Sequence, residues 1–122
     1  MANILVVDDS PIVRRTLEFI LKKQNHTVMT ANDGTEALAR LAEVKVELIF
    51  ADVSMPHLDG IDLLQRLRAD IRFRHLPVVM LTASGETQDR LRAEKEGANG
   101  FLTKPASSQE LIATVNRFVK GS

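Results

Sequence analysis

Cysteine, tryptophan and tyrosine are absent from the 122 residues, and five phenylalanines are the only aromatic side chains. Without cysteine there is no disulfide, no thiolate metal site and no sulfur nucleophile. Neither sign of charge is in excess: sixteen Lys plus Arg balance sixteen Asp plus Glu. No global field therefore recommends a nucleic acid or an anionic membrane as a direct partner, and any functional charge must be local. No apolar run approaches the roughly 18 residues of a membrane span, and the N-terminus lacks the basic and apolar pattern of a secretory signal. A soluble, cytoplasmic protein is expected, so Asn25-His26-Thr27 matches a glycosylation acceptor only by chance. The GxxxxGK[ST] loop that cradles nucleotide phosphates is also missing, which argues against ATP as a direct substrate. The length suits one domain, residues 1–122, with a substantial core.

What is present alternates. Short apolar runs at 4–7, 27–31, 46–51, 77–82 and 99–103 are each followed by a longer segment of helical period. The first helix starts at a Ser10 cap with Pro11 at its first position, turns Val13, Leu17, Ile20 and Leu21 inward, and ends near Asn25. A second follows Asp33-Gly34 with Ala37, Leu38, Leu41 and Ala42 inward, and a third follows Asp59-Gly60 with Ile61, Leu64 and Leu67 inward. Both openings read as turn dipeptides. A fourth spans about Glu86 to Glu96, with Leu91 and Ala93 almost its only apolar anchors. The last opens at the capping box Ser107-x-x-Glu110 and buries Leu111, Val115, Phe118 and Val119.

Such alternation implies an α/β, doubly wound, five-stranded parallel sheet with helices on both faces. Runs one, three and four are continuously apolar, as doubly buried strands require, whereas two and five are interrupted by Thr, Asn and Gly and should be edges. The order 2-1-3-4-5 satisfies this and is adopted by its match to flavodoxin-like sheets. Ligands of such sheets sit beyond the carboxyl ends of the strands.

Those ends carry Asp8 and Asp9 on the first strand, Asp52 on the third, Thr82 on the fourth, and Lys104 before Pro105 on the fifth. Each alone is an ordinary polar strand end. Together they are not, because three carboxylates within about 5 Å repel by about 3 kcal/mol per pair at an effective dielectric of 20. A divalent cation resolves that, and all-oxygen ligation with few carboxylates suits Mg2+ completed by water and phosphate oxygens. One carboxylate can then be a nucleophile that forms an acyl phosphate, while a lysine and a hydroxyl absorb charge on the transferring group.

The segments VVDDSPIVRR, TANDGTEAL, FADVSMPHLDG, PVVMLTASG and EGANGFLTKP resemble, in order and over essentially the whole chain, the signatures of a response-regulator receiver domain of two-component signalling. The resemblance implies that Asp52 is the phosphoacceptor, that Asp8, Asp9, Asp52 and Ser54 hold Mg2+, that Thr82 and Lys104 sense the phosphate, and that Phe101 is the aromatic switch residue. It further implies a histidine kinase or phosphotransfer protein as donor. A downstream protein target would meet the face of the fourth helix, fifth strand and fifth helix. For Lys104 to turn its ammonium back over the strand ends as the chain enters the last helix, the backbone must reverse within a residue or two. A cis Lys104–Pro105 bond accomplishes this, and the resemblance implies the same isomer.

Phe101 stands where many relatives carry tyrosine, so its ring can move inward but cannot hydrogen-bond. Ser54 and Ser84, each two residues beyond a site residue, occupy positions that tune water access to the acyl phosphate in that family. Ala106 follows Lys104-Pro105 where receivers of many DNA-binding regulators carry an aromatic. His26, His57 and His75 share no metal-ligand spacing and are expected to be solvated. Two other classes fit parts of the pattern. A phosphatase or phosphotransferase with an aspartate nucleophile usually adds a substrate-selecting cap, for which this chain has no residues. A flavin-binding module would set anions against a carboxylate-lined mouth without tyrosine or tryptophan. The chain is accordingly expected to catalyse its own phosphorylation and dephosphorylation without turning over a small substrate.

Overall fold

The computed structural model describes residues 2–55, 57–83 and 87–119, Thr87 by its backbone alone. Ser84 and Glu86 lie outside the described residues. The elements in chain order are β1 Asn3–Val7, α1 Pro11–Lys23, β2 Thr27–Ala31, α2 Gly34–Glu43, β3 Leu48–Asp52, α3 Gly60–Ala69, β4 Val78–Thr82, α4 Thr87–Lys95, β5 Gly100–Thr103 and α5 Ser108–Phe118. All strand pairs are parallel, in the order β2-β1-β3-β4-β5. Every residue of β3 and β4 and all but the first of β1 is buried, whereas β2 and β5 are only partly so. Unbroken apolar runs thus sit where helices cover both faces, and the interrupted runs form the edges.

The two-residue period of the strands divides the core into two layers. Leu5, Val7, Ile49, Ala51, Val78 and Met80 point to one side, with Leu41 of α2, Ile61 and Leu64 of α3 and Ala93 of α4. Ile4, Val6, Leu48, Phe50, Val79 and Leu81 point to the other, against Leu17 and Leu21 of α1 and Leu111 and Val115 of α5.

Four of the helices start on side-chain caps. Ser10 accepts from the Val13 N–H ahead of Pro11, and Ser107 with Glu110 forms a reciprocal capping box. Asp33-Gly34 and Asp59-Gly60 are not free turns. Each aspartate caps a helix, accepting from Glu36 N–H at 2.9 Å and from Asp62 N–H at 2.8 Å, and each glycine is the first helical residue. The glycines answer to space: a Cβ would stand 2.7 Å from the Leu58 carbonyl oxygen at Gly34, and 2.0 Å from that of Asp52 at Gly60.

Three residues differ from the burial expected of them. Ala42 is exposed, because α2 has by then run past the core and Leu41 is its last buried side chain. In α4, Ala93 is fully buried while Leu91 is 60% exposed. Two residues are separated by about 200° around a helix, so only one of them can face the sheet. His26 is buried, not solvated: its Nδ1 accepts the Ala2 N–H at 3.2 Å where β1 begins beside β2. The β3 strand also starts at Leu48, two residues later than the apolar run, and α1 ends at Lys23, with Asn25 in a left-handed conformation (φ 67°) carrying the chain toward β2.

Candidate functional site at the strand ends

The chain leaves β1 into Asp8 and Asp9. Asp8 is buried and held on every side. Its N–H donates to the Ala31 carbonyl at 3.1 Å, its Oδ1 accepts the Ser10 N–H at 2.9 Å, and its own carbonyl accepts Arg14 Nη1 at 2.6 Å. Asp9 is exposed. Asp52, the last residue of β3, is buried, and its Oδ1 accepts the Ser54 N–H at 3.3 Å. One carboxylate oxygen from each of Asp8, Asp9 and Asp52 lies within 4.8 Å of the others.

Lys104 closes the site from the far side. Its Nζ is 3.2 Å from Asp8 Oδ2 and 3.2 Å from Asp52 Oδ2. The Lys104–Pro105 peptide is cis. Thr82, buried at the end of β4, faces Thr103 in register, and its carbonyl accepts the Lys104 N–H at 2.8 Å. Phe101 lies outside this cluster. It pairs with Met80 on β4, half-buried on the face that also holds Ala93, with the Arg90 guanidinium 5.0 Å from its ring centre.

The electrostatics follow from crowding. Burial first, and then the neighbouring Asp8 charge, push the Asp52 carboxyl above the usual aspartate range, against the opposing pull of Lys104. Burial works against the Lys104 charge too, but Asp52 and then Asp8 outweigh it, so the ammonium titrates above the ordinary lysine value. Lys104 thus spans two of the three acids, and the exposed Asp9 has no cation of its own among the described residues. An all-oxygen set of three carboxylates, open on the Asp9 side, fits a hard divalent cation.

Several neighbours escape a reading of the sequence. Arg14 closes on Asp8 from the first turn of α1, and only its helical phase relative to Ser10 hints at that. His57, in the loop after Asp52, has φ 67° and sets Nδ1 3.1 Å from Asp33 Oδ2, so it decorates the loop but also ties it to the α2 cap. The contact of Gly60 with the Asp52 carbonyl joins elements that no local pattern connects. An apolar groove of about 320 Å³ opens beside the site, between Ile12, Val13 and Leu17 of α1 and Pro105-Ala106.

The family model of the response regulator receiver domain matches residues 4–116. Protein PilG of Pseudomonas aeruginosa is 37% identical over 117 residues, which are 96% of this chain and 87% of PilG. The DNA-binding transcriptional regulator RpaA of Synechocystis is 35% identical over 98% of this chain, which spans only 50% of RpaA. Among solved structures, the chemotaxis protein CheY4 of Vibrio cholerae superposes with a TM-score of 0.91 at 32% identity, covering 98% of this chain and 99% of the other.

Proposed function

This chain belongs to the response regulator receiver family, and from that membership we propose that it is a cytoplasmic phosphorylation-controlled signalling module with Asp52 as its acceptor. Members of the family are signalling modules and not enzymes that turn over small substrates. The observation that carries the reading is the meeting of Asp8, Asp9 and Asp52 within 4.8 Å, with Lys104 spanning two of them. Asp8, Asp9 and Asp52, together with Ser54, would hold Mg2+. When bound, that ion supplies positive charge to the phosphoryl oxygens and offsets the three carboxylates.

In the transfer, an Asp52 carboxylate oxygen attacks the phosphorus of a phosphohistidine on a kinase or phosphotransfer protein. A P–O bond forms, the P–N bond breaks, and the imidazole nitrogen leaves with the electron pair. Lys104 then pairs with the phosphoryl oxygens in place of the carboxylates, and the Thr82 hydroxyl donates to another. The donor docks over α1, where Ile12 is 75% exposed beside the groove that ends at Pro105-Ala106. Withdrawal of Thr82 toward the phosphate gives the Phe101 ring room to move, which alters the α4–β5–α5 surface offered to a downstream protein.

The test is chemical. With Mg2+ and acetyl phosphate the protein gains one acid-stable, hydroxylamine-labile phosphoryl group, and Asp52→Asn does not. Label retained in Asp52→Asn would place the acceptor elsewhere.

A further inference from the structure

The most weakly anchored helix is α4. Among its described side chains only Ala93 is buried. Its C-terminal end is tied down from α3: Arg68 donates from Nε to the Gly97 carbonyl at 3.1 Å and from Nη2 to Asn99 Oδ1 at 2.8 Å. Along the body of the helix a different contact reaches the sheet, the Arg90 guanidinium over the face of Phe101. Arg90 makes no ion pair among the described residues, and the acid next to it, Asp89, faces Arg92 at 3.9 Å. Among the described residues the charge of Arg90 is thus directed at the ring and at no carboxylate.

Phe101 is well placed to transmit such a contact. It shares a sheet face with Met80, its partner in register, and Thr82, two residues beyond Met80, has the same parity. The ring therefore lies on the sheet face that Thr82 shares, beneath Arg90 of α4. A planar guanidinium stacks on an aromatic face without needing a hydroxyl, so phenylalanine serves here as well as tyrosine would.

We propose that Arg90 is a positioning residue whose charge, laid on the Phe101 ring, fastens the body of α4 to the edge strand β5. Freeing the ring and loosening α4 are then one event, with the Arg68 contacts at Gly97 and Asn99 as the fixed end about which α4 moves. The fastening itself is a property of the resting protein. Its release by phosphorylation rests on the reading of Asp52 given above.

The experiment is amide hydrogen exchange across residues 88–95 of the full chain, without metal or phosphodonor, in wild type and three variants of this exposed position. Arg90→Ala removes the contact, Arg90→Met keeps an apolar stem without charge, and Arg90→Lys keeps a charge. A cation over a ring at an exposed site corresponds to an about two- to five-fold change in an opening equilibrium. Exchange at 88–95 should accelerate by that factor in Arg90→Ala and Arg90→Met, and less in Arg90→Lys, while amides of β1 and β3 keep their protection. Equal rates in wild type and Arg90→Ala, or a methionine variant as protected as wild type, would overturn the proposal.

A second measurement separates this from the acceptor reading. With Mg2+ and beryllofluoride, a fluorine resonance of fluorophenylalanine at position 101 should shift in wild type, and in Arg90→Ala it should begin displaced toward that position. If the Thr82 and Lys104 amides ignore beryllofluoride, the acceptor reading fails, and the exchange rates still decide the role of Arg90.

Discussion

Lys104 bridges the buried carboxylates of Asp8 and Asp52, so its removal leaves a pair of like charges facing each other with no cation between them. In the metal-free protein Lys104→Ala should lower stability by about 1–3 kcal/mol. That is less than the breaking of a fully buried ion pair, because the lysine side chain is a quarter exposed. Adding Asp52→Asn to that variant should restore part of the loss, and paired melting curves measure the coupling. His26 predicts a pH effect of definite sign. Burial, and then the positive N-terminus, hold its imidazole below the ordinary histidine value of 6.5, and its Nδ1 must stay unprotonated to accept the Ala2 N–H. The native state therefore binds fewer protons than the unfolded state. The contribution is present above about pH 6.5 and is lost as pH falls from there through the depressed folded value. Melting temperatures between pH 7.5 and 5 should fall more steeply in wild type than in His26→Gln; parallel curves would refute the assignment.

At the scale of elements, α3 hangs from the end of the strand that bears the proposed acceptor. The Gly60 N–H donates to the Val53 carbonyl at 3.0 Å, and no side chain fits between helix and strand. Gly60→Ala should cost about 3 kcal/mol and displace the Asp52 backbone, since a Cβ there meets the Asp52 peptide oxygen at 2.0 Å, a closer clash than that with the pliable Met80 side chain at 2.8 Å. Gly100→Ala, where the nearest atoms are 3.6 Å away, should be tolerated, and denaturant melts compare the two. The same contact illustrates what a sequence conveys and what it does not. Which strands are inner and which are edges was legible because double burial demands unbroken apolar runs, as in Ile4–Val7 and Val78–Leu81, while the order itself came from the match to flavodoxin-like sheets. The meeting of Asp8, Asp9, Asp52 and Lys104, with Thr82 at the end of β4, was legible because parallel strands all end on one side. The exposure of Ala42 and Leu91, the burial of His26 and the closure of Arg14 on Asp8 were not. Each depends on how far a helix overhangs the sheet or how it is rotated, and periodicity fixes neither.

For the whole molecule, folding gathers acids that the unfolded chain keeps 44 residues apart (Asp8 to Asp52), so a divalent cation should bind the native state alone. Mg2+ at a hundred times its dissociation constant should then add about 2.7 kcal/mol, seen as a higher melting temperature in wild type and a flat response in Asp9→Ala. Asp9 is the suitable position because it is exposed. The sheet order also has a consequence in time. The inner strand β1 emerges from a ribosome before the other strands of its sheet, yet its partner β3 follows 44 residues later, by the register Ile4 with Leu48. At about 5–20 residues per second, Ile-Leu-Val-Val waits roughly 2–9 s without that neighbour, and it is the kind of segment that self-associates. Two adjacent negative charges directly after it are of the kind that oppose such self-association. Replacing both Asp8 and Asp9 with asparagine should therefore lower the soluble fraction made by cell-free translation while raising the melting temperature of the molecules that do fold. An unchanged soluble fraction would confine the two acids to the finished protein.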